Sequence, residues 1–413
     1  MGALLSVLLA STDASQVMAQ YGDRVAEVQV LGTQDVNVDA RTVIGSGFWL
    51  DAHLLVTNFH VVSELVWWPK SHRLQVLHGA TRLKGRLLEI DPPHDLAIIE
   101  VEGEAPAHFT LAAQDPVRGA ALFALGHPHD IGLSIVDGTF NGLVEGQLEE
   151  LLHFTGALNP GMSGGPCVDE AGEVVGVNVA TRGNEVSFLV PAHWVKTLYE
   201  RVKAQQSPPD FSQRVAETVV ESQQTLTQEL LSQPMNKTTL GAWDLPAGWP
   251  AKDLRAWGGP LNESDPDDLF AVSGYQVLGD AMTVLRPDAE YTGQVVLKHR
   301  LYEAKSLGSV QLYRRAGQGF SRDEHDSTGD EEEFHTSWSC DARVFTQGGS
   351  RLKSHLCMRA YKKIDGVYDY VLRAMTFDDP KATVVSELQL YGFSVANAEK
   401  LQQRFLEAIS WKR

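Results

Sequence analysis

Cysteine is scarce in this chain of 413 residues, which has three: Cys167, Cys340 and Cys357. That excludes a disulfide framework as the basis of the fold, and a chain of this length can draw its stability from hydrophobic cores instead. Cys340 and Cys357 fall on two predicted strands and can pair in an oxidising compartment. Cys167 sits in an apolar run and reads as a buried, inert thiol. Positive charge is also short: 35 Lys and Arg stand against 53 Asp and Glu, a formal charge of −18. Such a balance excludes a general affinity for nucleic acid, whose phosphates need cationic partners, and disfavours anionic membranes. Beyond the N-terminus nothing approaches the run of about 18 apolar residues that spans a bilayer, so no integral membrane segment is expected there. Metal-ligand spacing is missing as well. His94 and His127-Pro128-His129 have no standard zinc spacing and no cysteine nearby. The acidic run 323–333 lacks the regular spacing of a calcium loop and reads as solvated chain. No metal and no cofactor is expected.

What the chain does have is ordinary globular composition, 43% hydrophobic and 21% charged, at a length that suits two or three domains. Residues 3–10, Ala-Leu-Leu-Ser-Val-Leu-Leu-Ala, resemble the apolar centre of a secretory signal, with small residues placed for cleavage after Ala14 or Ala19. The usual basic start is missing, since the first Arg or Lys is Arg24. Residues 1–20 therefore read either as a signal or as an N-terminal helix, and 12–21 suit a short helix. Export to the periplasm or the exterior is the expectation, with the cytoplasm as its alternative.

One stretch organises the rest: Ala157-Leu-Asn-Pro-Gly-Met-Ser-Gly-Gly-Pro-Cys167. It sets Ser163 among glycines, just before the apolar run Val174–Ala180. An attacking hydroxyl needs an exposed Oγ and backbone N–H groups turned toward the oxygen that becomes charged. Glycines permit such a turn because they reach φ > 0 and let a carbonyl approach the main chain. A plain Gly/Ser/Pro turn between strands is the bland reading. At average usage, however, Gly-x-Ser-Gly-Gly-Pro arises by chance about once in a million windows. Two further stretches supply the partners a serine needs. Thr57-Asn-Phe-His60 ends an apolar strand with a histidine, and Asp91-Pro-Pro-His-Asp95-Leu-Ala starts another with an aspartate. A base must take the hydroxyl proton, and an acceptor must hold the base's tautomer.

Together these motifs resemble the trypsin-like serine peptidases. Asn159-Pro-Gly-Met-Ser163 before the glycines and Ser187-Phe-Leu-Val-Pro191 after them look most like the bacterial HtrA/DegP-like branch. The likeness covers about residues 15–200. It implies a triad of His60 as base, Asp95 as orienter and Ser163 as nucleophile, with an oxyanion hole from the N–H groups of Gly161 and Ser163. It also places Ala157, six residues before the serine, at the base of the specificity pocket, with Ser187 to Pro191 along its wall. A neutral pocket cannot compensate a buried Lys or Arg, so small or medium apolar residues such as Val, Ala or Leu are expected before the scissile bond. No zymogen-type Arg-Ile-Val-Gly-Gly precedes the domain, and Arg41-Thr-Val-Ile-Gly45 lies in a predicted strand. The uncut chain is therefore expected to be active, switched through the loop Leu158–Met162. Protein or peptide substrates are implied, and a homo-oligomer is a candidate. Two rivals stand beside this reading. One is a chaperone or binding scaffold on a peptidase fold, which would not need all three groups. The other is an esterase, whose Gly-x-Ser-x-Gly elbow the motif does not match.

Short strand-like runs alternate with polar breaks from Val25 to Val190, the pattern of an all-β barrel architecture. The resemblance sharpens this to a chymotrypsin-like double β-barrel over residues 21–205. A helix over Pro191–Ala204 closes it, with an apolar stripe of Val195, Leu198, Tyr199 and Val202. A linker helix runs from Phe211 to before Pro234, within residues 206–237. The peptide-binding PDZ domain that often follows in this branch has no counterpart, since its Gly-Leu-Gly-Phe-like loop is missing. Residues 238–413 read instead as a separate α+β domain of unassigned role. Its expected strands are Gly274–Leu285, Thr292–Leu301, Ser309–Arg314, Phe334–Phe345, Leu352–Ile364, Val367–Met375 and Thr383–Tyr391, with a terminal helix from Asn397 to Trp411. Trp243, Leu245, Trp249, Leu254 and Trp257 must pack either in this domain's own core or back on the peptidase.

Overall fold

The computed structural model describes residues 13–32, 43–128, 131–144, 150–181, 186–249, 257–263, 269–286, 290–319 and 333–412. The chain divides into two compact units: Met1–Val144, Glu149–Phe211 and Val284–Ala289 form one, and Glu145–Leu148, Ser212–Thr283 and Glu290–Arg413 the other.

The first unit opens with helix α1 (Ala14–Tyr21), whose N-terminus is closed by Asp13: its carboxylate accepts from Gln16 N at 2.9 Å. Val17 and Tyr21 are buried in the unit's core, so cleavage after Ala19 would split a packed helix. The stretch 3–10 lies outside the described residues. Strands β1 (Val25–Gly32), β2 (Val43–Trp49), β3 (Leu54–Thr57), β4 (His72–His78), β5 (Thr81–Asp91) and β6 (Leu96–Val101) close a barrel in the order β1-β2-β3-β6-β5-β4. Alternation drives it: Ala26, Val28 and Val30 of β1 are fully buried on the inner face. A second sheet comprises β7 (Thr110–Leu111), β8 (Ala121–Gly126), β9 (Ser134–Leu143), β10 (Leu152–Phe154), β11 (Pro166–Val168), β12 (Glu173–Thr181) and β13 (Ser187–Pro191). Its order β11-β8-β9-β10-β13-β12, with β11 also paired to β12, closes a second six-stranded barrel, and β7 adds to β12 in parallel. The double barrel is thus present.

One helix was not expected. After β3 the chain enters α2 (Phe59–Trp67) rather than ending a strand at His60. Phe-His-Val-Val carries β-branched residues, but Phe59, Val62 and Val66 pack at helical spacing against the barrel, and that burial outweighs propensity. Helix α3 (Ala192–Ala204) closes the unit with Val195 and Leu198 fully buried, as the stripe predicts.

The second unit begins at α4 (Phe211–Ser232), whose Leu226 and Leu230 enter its core. Three strands follow that the sequence reading did not resolve: β14 (Asn236–Leu240), β15 (Trp243–Gly248) and β16 (Trp257–Glu263). Trp243, Leu245 and Trp249 belong to this unit's own core, which decides between their two expected partners. Leu254 lies outside the described residues. The main sheet is β16-β17-β18-β22-β21-β20-β19, built from β17 (Phe270–Arg286), β18 (Glu290–Ala304), β19 (Ser339–Gln347), β20 (Ser350–Ala360), β21 (Tyr368–Thr376) and β22 (Ala382–Phe393). A turn that includes Asp365-Gly366 joins β20 to β21, with Gly366 at φ +77°. Ser309–Arg314 is not a strand but part of α5 (Ser309–Ala316). Only Leu312 and Ala316, four apart, are buried there while Val310 is 79% exposed, which is helical spacing. The terminal helix α6 (Val395–Glu407) packs Leu401 and Phe405 into the same core as α4, and β23 (Ser410–Trp411) pairs with β15. Cys340 and Cys357 are joined as a disulfide, and Cys167 is a buried free thiol whose pKa burial raises. Among the described residues no helix is long and apolar enough to cross a membrane. Residues 323–332 of the acidic run lie outside the described residues.

Candidate active site

Asp95 fixes the start of α2. It holds φ at +51°, the one positive value among the described non-glycine residues, in a turn closed by its own N–H to Pro92 O at 3.2 Å. From that turn every acceptor of Asp95 is spent on residues 58–60. Its carbonyl accepts from Phe59 N at 3.1 Å and from the Asn58 side chain at 2.7 Å. One carboxylate oxygen accepts from His60 N at 2.8 Å, and the other lies 2.6 Å from His60 Nδ1. First-turn amides have no partner within their own helix, and Asp95 supplies two of them while placing negative charge at a helix N-terminus. The same carboxylate sets the His60 tautomer: Nδ1 carries the proton it donates, and Nε2 is left as the acceptor. Burial alone would lower the His60 pKa, but the charge and hydrogen bond of Asp95 outweigh it and hold the imidazole above its usual value.

The serine turn is docked on the same segment. Gly164, at φ +86°, leaves no room for a side chain: a Cβ there would sit 2.3 Å from Ser46 O and 2.4 Å from Thr57 Oγ1. Ser46 in β2 is the fastening point between the barrels. Its N–H donates to Ser163 O at 2.7 Å, its hydroxyl donates to Gly161 O at 2.7 Å, and the same oxygen accepts from His127 N at 2.8 Å. Its own carbonyl accepts from Thr57 Oγ1 at 2.7 Å. From the other side Asn178 of β12 holds the loop. Its carbonyl accepts from Gly164 N at 2.8 Å, and its side chain donates to Leu125 O and Met162 O at 3.0 and 3.4 Å. Neither Ser46 nor Asn178 stands out in the sequence. Their partners lie as far along the chain as Ser163 is from Ser46, and no local pattern marks them.

Within this frame Ser163 is partly exposed, and its hydroxyl makes only a long 3.4 Å bond to Val179 O. Among the described residues no hydrogen bond joins it to His60, and the amides of Gly161 and Ser163 have no hydrogen-bond partner. Gly161 stands at φ +96°. Ala157 is exposed, while Ser187 is fully buried. The Ser187 hydroxyl donates to Gly156 O at 2.6 Å and accepts from Leu158 N at 3.3 Å, bracing the loop beside Ala157 rather than presenting a polar surface. His127 is held neutral near pKa 4 by burial and by the charge of His78, while His129 lies outside the described residues. Asp91 and His94, next to the aspartate turn, form their own pair at 2.9 Å, with Arg201 of α3 at 3.5 Å from Asp91 and Trp194 stacked on His94 at 3.6 Å.

Helix α2 is also held at its far end. Trp67 Nε1 donates to Leu285 O at 2.9 Å, and Arg286 Nε lies 3.2 Å from Glu64 while its guanidinium covers the Trp68 ring at 4.8 Å. Leu285 and Arg286 belong to the stretch Val284–Ala289 that is counted with the first unit.

The model of the trypsin-like peptidase domain family matches residues 45–177. Among curated proteins the chain is similar to probable periplasmic DegP-like serine endoproteases. The one from Chlamydia trachomatis is 28% identical over 172 residues, 39% of this chain and 34% of the relative. That from Ectopseudomonas mendocina is 30% identical over 172 residues, 39% and 35% of the two chains. The chain thus spans about a third of the length of the curated relatives it matches. Among solved structures it is similar to the active form of a protease from M. tuberculosis, at 23% identity and a TM-score of 0.42, over 49% of this chain and 92% of the other. Residues 45–177, which run from the strand that carries Ser46 past the serine turn to β12, are a trypsin-like peptidase domain, similar to those of DegP-like serine endoproteases.

Proposed function

We propose that this chain is a serine endopeptidase that hydrolyses peptide bonds of protein substrates. The observation that carries the reading is the bracket around residues 57–60: one aspartate orients His60 and caps its helix, and the serine turn is tied to Thr57 through Ser46. In the reaction His60 Nε2 takes the Ser163 proton as Oγ attacks the scissile carbonyl, and later gives it to the leaving amine. Asp95 keeps Nδ1 protonated and balances the imidazolium that forms. The unbonded N–H groups of Gly161 and Ser163 receive the oxyanion. The weak Val179 bond leaves the serine hydroxyl free to turn toward His60 when substrate fills the site, since catalytic hydrogen bonds often tighten only in the complex. Ala157, small and uncharged, favours Val, Ala or Leu before the scissile bond. Gly161, free to change φ, makes the loop 158–162 the natural switch, so the uncut chain is active and responds to substrate. A periplasmic or secreted place agrees with the names of those relatives, and a part in protein quality control or processing is proposed with it.

The test is covalent labelling with a serine-directed phosphonate, followed by casein cleavage with the cut sites read by mass spectrometry. Labelling at Ser163, lost in Ser163→Ala and His60→Ala together with a fall of about four or more powers of ten in turnover, is the expected result. A chain that binds casein but neither labels nor cleaves would leave only the scaffold reading. Cuts dominated by Lys and Arg would overturn the pocket assignment.

A further inference from the structure

We infer that Cys340, His355 and Cys357 form a redox-gated site for Zn²⁺ in the second unit. It is closed in the disulfide seen here and opens to two thiolates and an imidazole when a dithiol reductant cleaves that bond. Strand β19 is the outer edge of the seven-stranded sheet, and its residues from Ser339 to Val344 are all exposed. So little burial means that the ladder to β20 and the disulfide hold this edge in place. Cys340 stands directly opposite Cys357 in the register. Two residues before Cys357 on the same strand, and so on the same face, is His355. Its Nδ1 lies 3.7 Å and its Nε2 4.0 Å from Cys357 Sγ, and one donor atom from each of the three residues falls within 4.8 Å of the others.

A structural staple between two strands needs no imidazole at its sulfurs. The spacing suits a metal polyhedron. With Zn–S near 2.3 Å and Zn–N near 2.0 Å, the sulfur-to-nitrogen edge of a tetrahedron is about 3.5 Å and the sulfur-to-sulfur edge about 3.8 Å. His355 already stands at the first distance, and side-chain rotation at two cysteines reaches the second. Cys340 is exposed, so the ion has an entry path and water can fill the fourth position. The nearest cation across the register, Arg373 opposite His355, is committed to Glu387 at 2.6 Å. Two thiolates balance the charge of the ion, and the acidic chain favours its approach. The steps close chemically. The dithiol gives up two hydrogens and becomes a disulfide, the Cys340–Cys357 bond breaks to two thiols, and Zn²⁺ expels their two protons on binding.

The experiment uses the full chain with Cys167→Ser, so that only the paired sulfurs respond. After reduction with a dithiol and anaerobic removal of the excess, Zn²⁺ is offered in competition with a chromophoric chelator. One ion per chain is expected in the reduced protein and none in the oxidised one. Co²⁺ as a spectroscopic substitute should show a thiolate-to-metal charge-transfer band that Cys340→Ser abolishes. His355→Ala leaves the disulfide and the fold intact, with thermal unfolding of the oxidised chain as the check, and should weaken retention in the reduced chain at least tenfold. Equal Zn²⁺ retention by reduced and oxidised protein, or by the reduced protein with and without His355, would overturn the site and leave the disulfide a staple only.

Discussion

The two units bury polar groups for different ends. In the first, Ser46, Thr57, Asn58, Asp95, Asn178 and Ser187 are all buried, and each bonds to or from one of two short segments, 57–60 and 156–165. Their partners lie on loops and strand ends, where Asp95, Gly161 and Gly164 hold positive φ. In the second unit the buried polar groups lie on the sheet itself. Arg373 meets Glu387 at 2.6 Å on adjacent strands, and Arg359 and Tyr361 meet Asp369 at 2.9 and 2.8 Å. There the strands are long, 17 residues in β17 and 15 in β18, and the polar groups tie strand to strand. Polar burial that converges on a loop positions chemistry; polar burial spread along a ladder secures register. Substitutions in the two units should therefore be felt in different measurements.

The largest expected effect belongs to Asp95→Asn. The amide keeps an oxygen for His60 N but turns a donor toward Nδ1, so the imidazole adopts the wrong tautomer and turnover should fall by about three to four powers of ten. Stability should fall far less, because the helix cap survives. In the unmodified chain His60 must be neutral to act, and its pKa is raised by Asp95. The acid limb of kcat/KM should therefore lie above the ordinary imidazole value of about 6.5, with activity lost as pH falls through it. The linked stability runs the other way: a raised imidazole pKa stabilises the fold below about pH 6.5 and that contribution is lost as pH rises through the folded value. A limb that Asp95→Asn fails to move downward would break the pairing of these two residues in function.

Glu387→Ala in the second unit should do the reverse. It strands Arg373, 7% exposed, without its partner, at a cost of about 3 kcal/mol, or two powers of ten in the folding equilibrium. Denaturant unfolding should register that loss while the rate of phosphonate labelling at Ser163 holds to within about twofold under native conditions. Ser46→Ala comes next. It leaves Gly161 O and His127 N without their hydroxyl partner, each buried-group penalty being about 1–3 kcal/mol. Part of that is relieved by relaxation of the loop, which misplaces the Gly161 amide. A loss of about tenfold in turnover, with KM changed less, is expected. If KM rises tenfold instead and turnover holds, Ser46 shapes binding and not the oxyanion site.

How much of this was legible follows the same division. The three motif segments could be read because each packs several unusual residues into a short window. Gly164 and Asp95 are dictated by backbone geometry that leaves a mark in sequence. Ser46 and Asn178 were not legible, because a buried hydroxyl in Gly-Ser-Gly and an asparagine in a valine run acquire their roles only through partners on the other barrel or across the sheet. Helix α2 was hidden by its β-branched residues, and α5 by a Val-Gln-Leu-Tyr stretch whose alternation mimics a strand. In the second unit the long strands were largely visible, since long runs rich in β-branched and aromatic residues between turn residues are a strong signal. Strand β14 is short and polar, and β15 and β16 are broken by Gly and Pro, so the three gave no such signal.

The smallest effect should come from Arg286→Ala, and it is the one that sharpens the division most. Arg286 is the last residue of the long strand β17, which runs mostly in the second unit, yet Val284–Ala289 counts with the first. Its guanidinium pairs with Glu64, 10% exposed, and covers Trp68, so it grips the last turns of the helix whose second residue is His60. Removing it leaves Glu64 partly buried and one ring face uncovered, while the Trp67 bond to Leu285 O remains. The helix start is held independently by four Asp95 bonds. Motion at the far end should therefore reach His60 only weakly, and a twofold to fivefold loss in turnover is expected, under about 1 kcal/mol. Arg286→Lys keeps the charge but not the planar cover of Trp68, and should recover part of the loss. An unchanged rate in Arg286→Ala would confine the control of His60 to Asp95 and the barrel. A loss as large as that of Ser46→Ala would mean that α2 moves as a rigid rod, gripped from both ends.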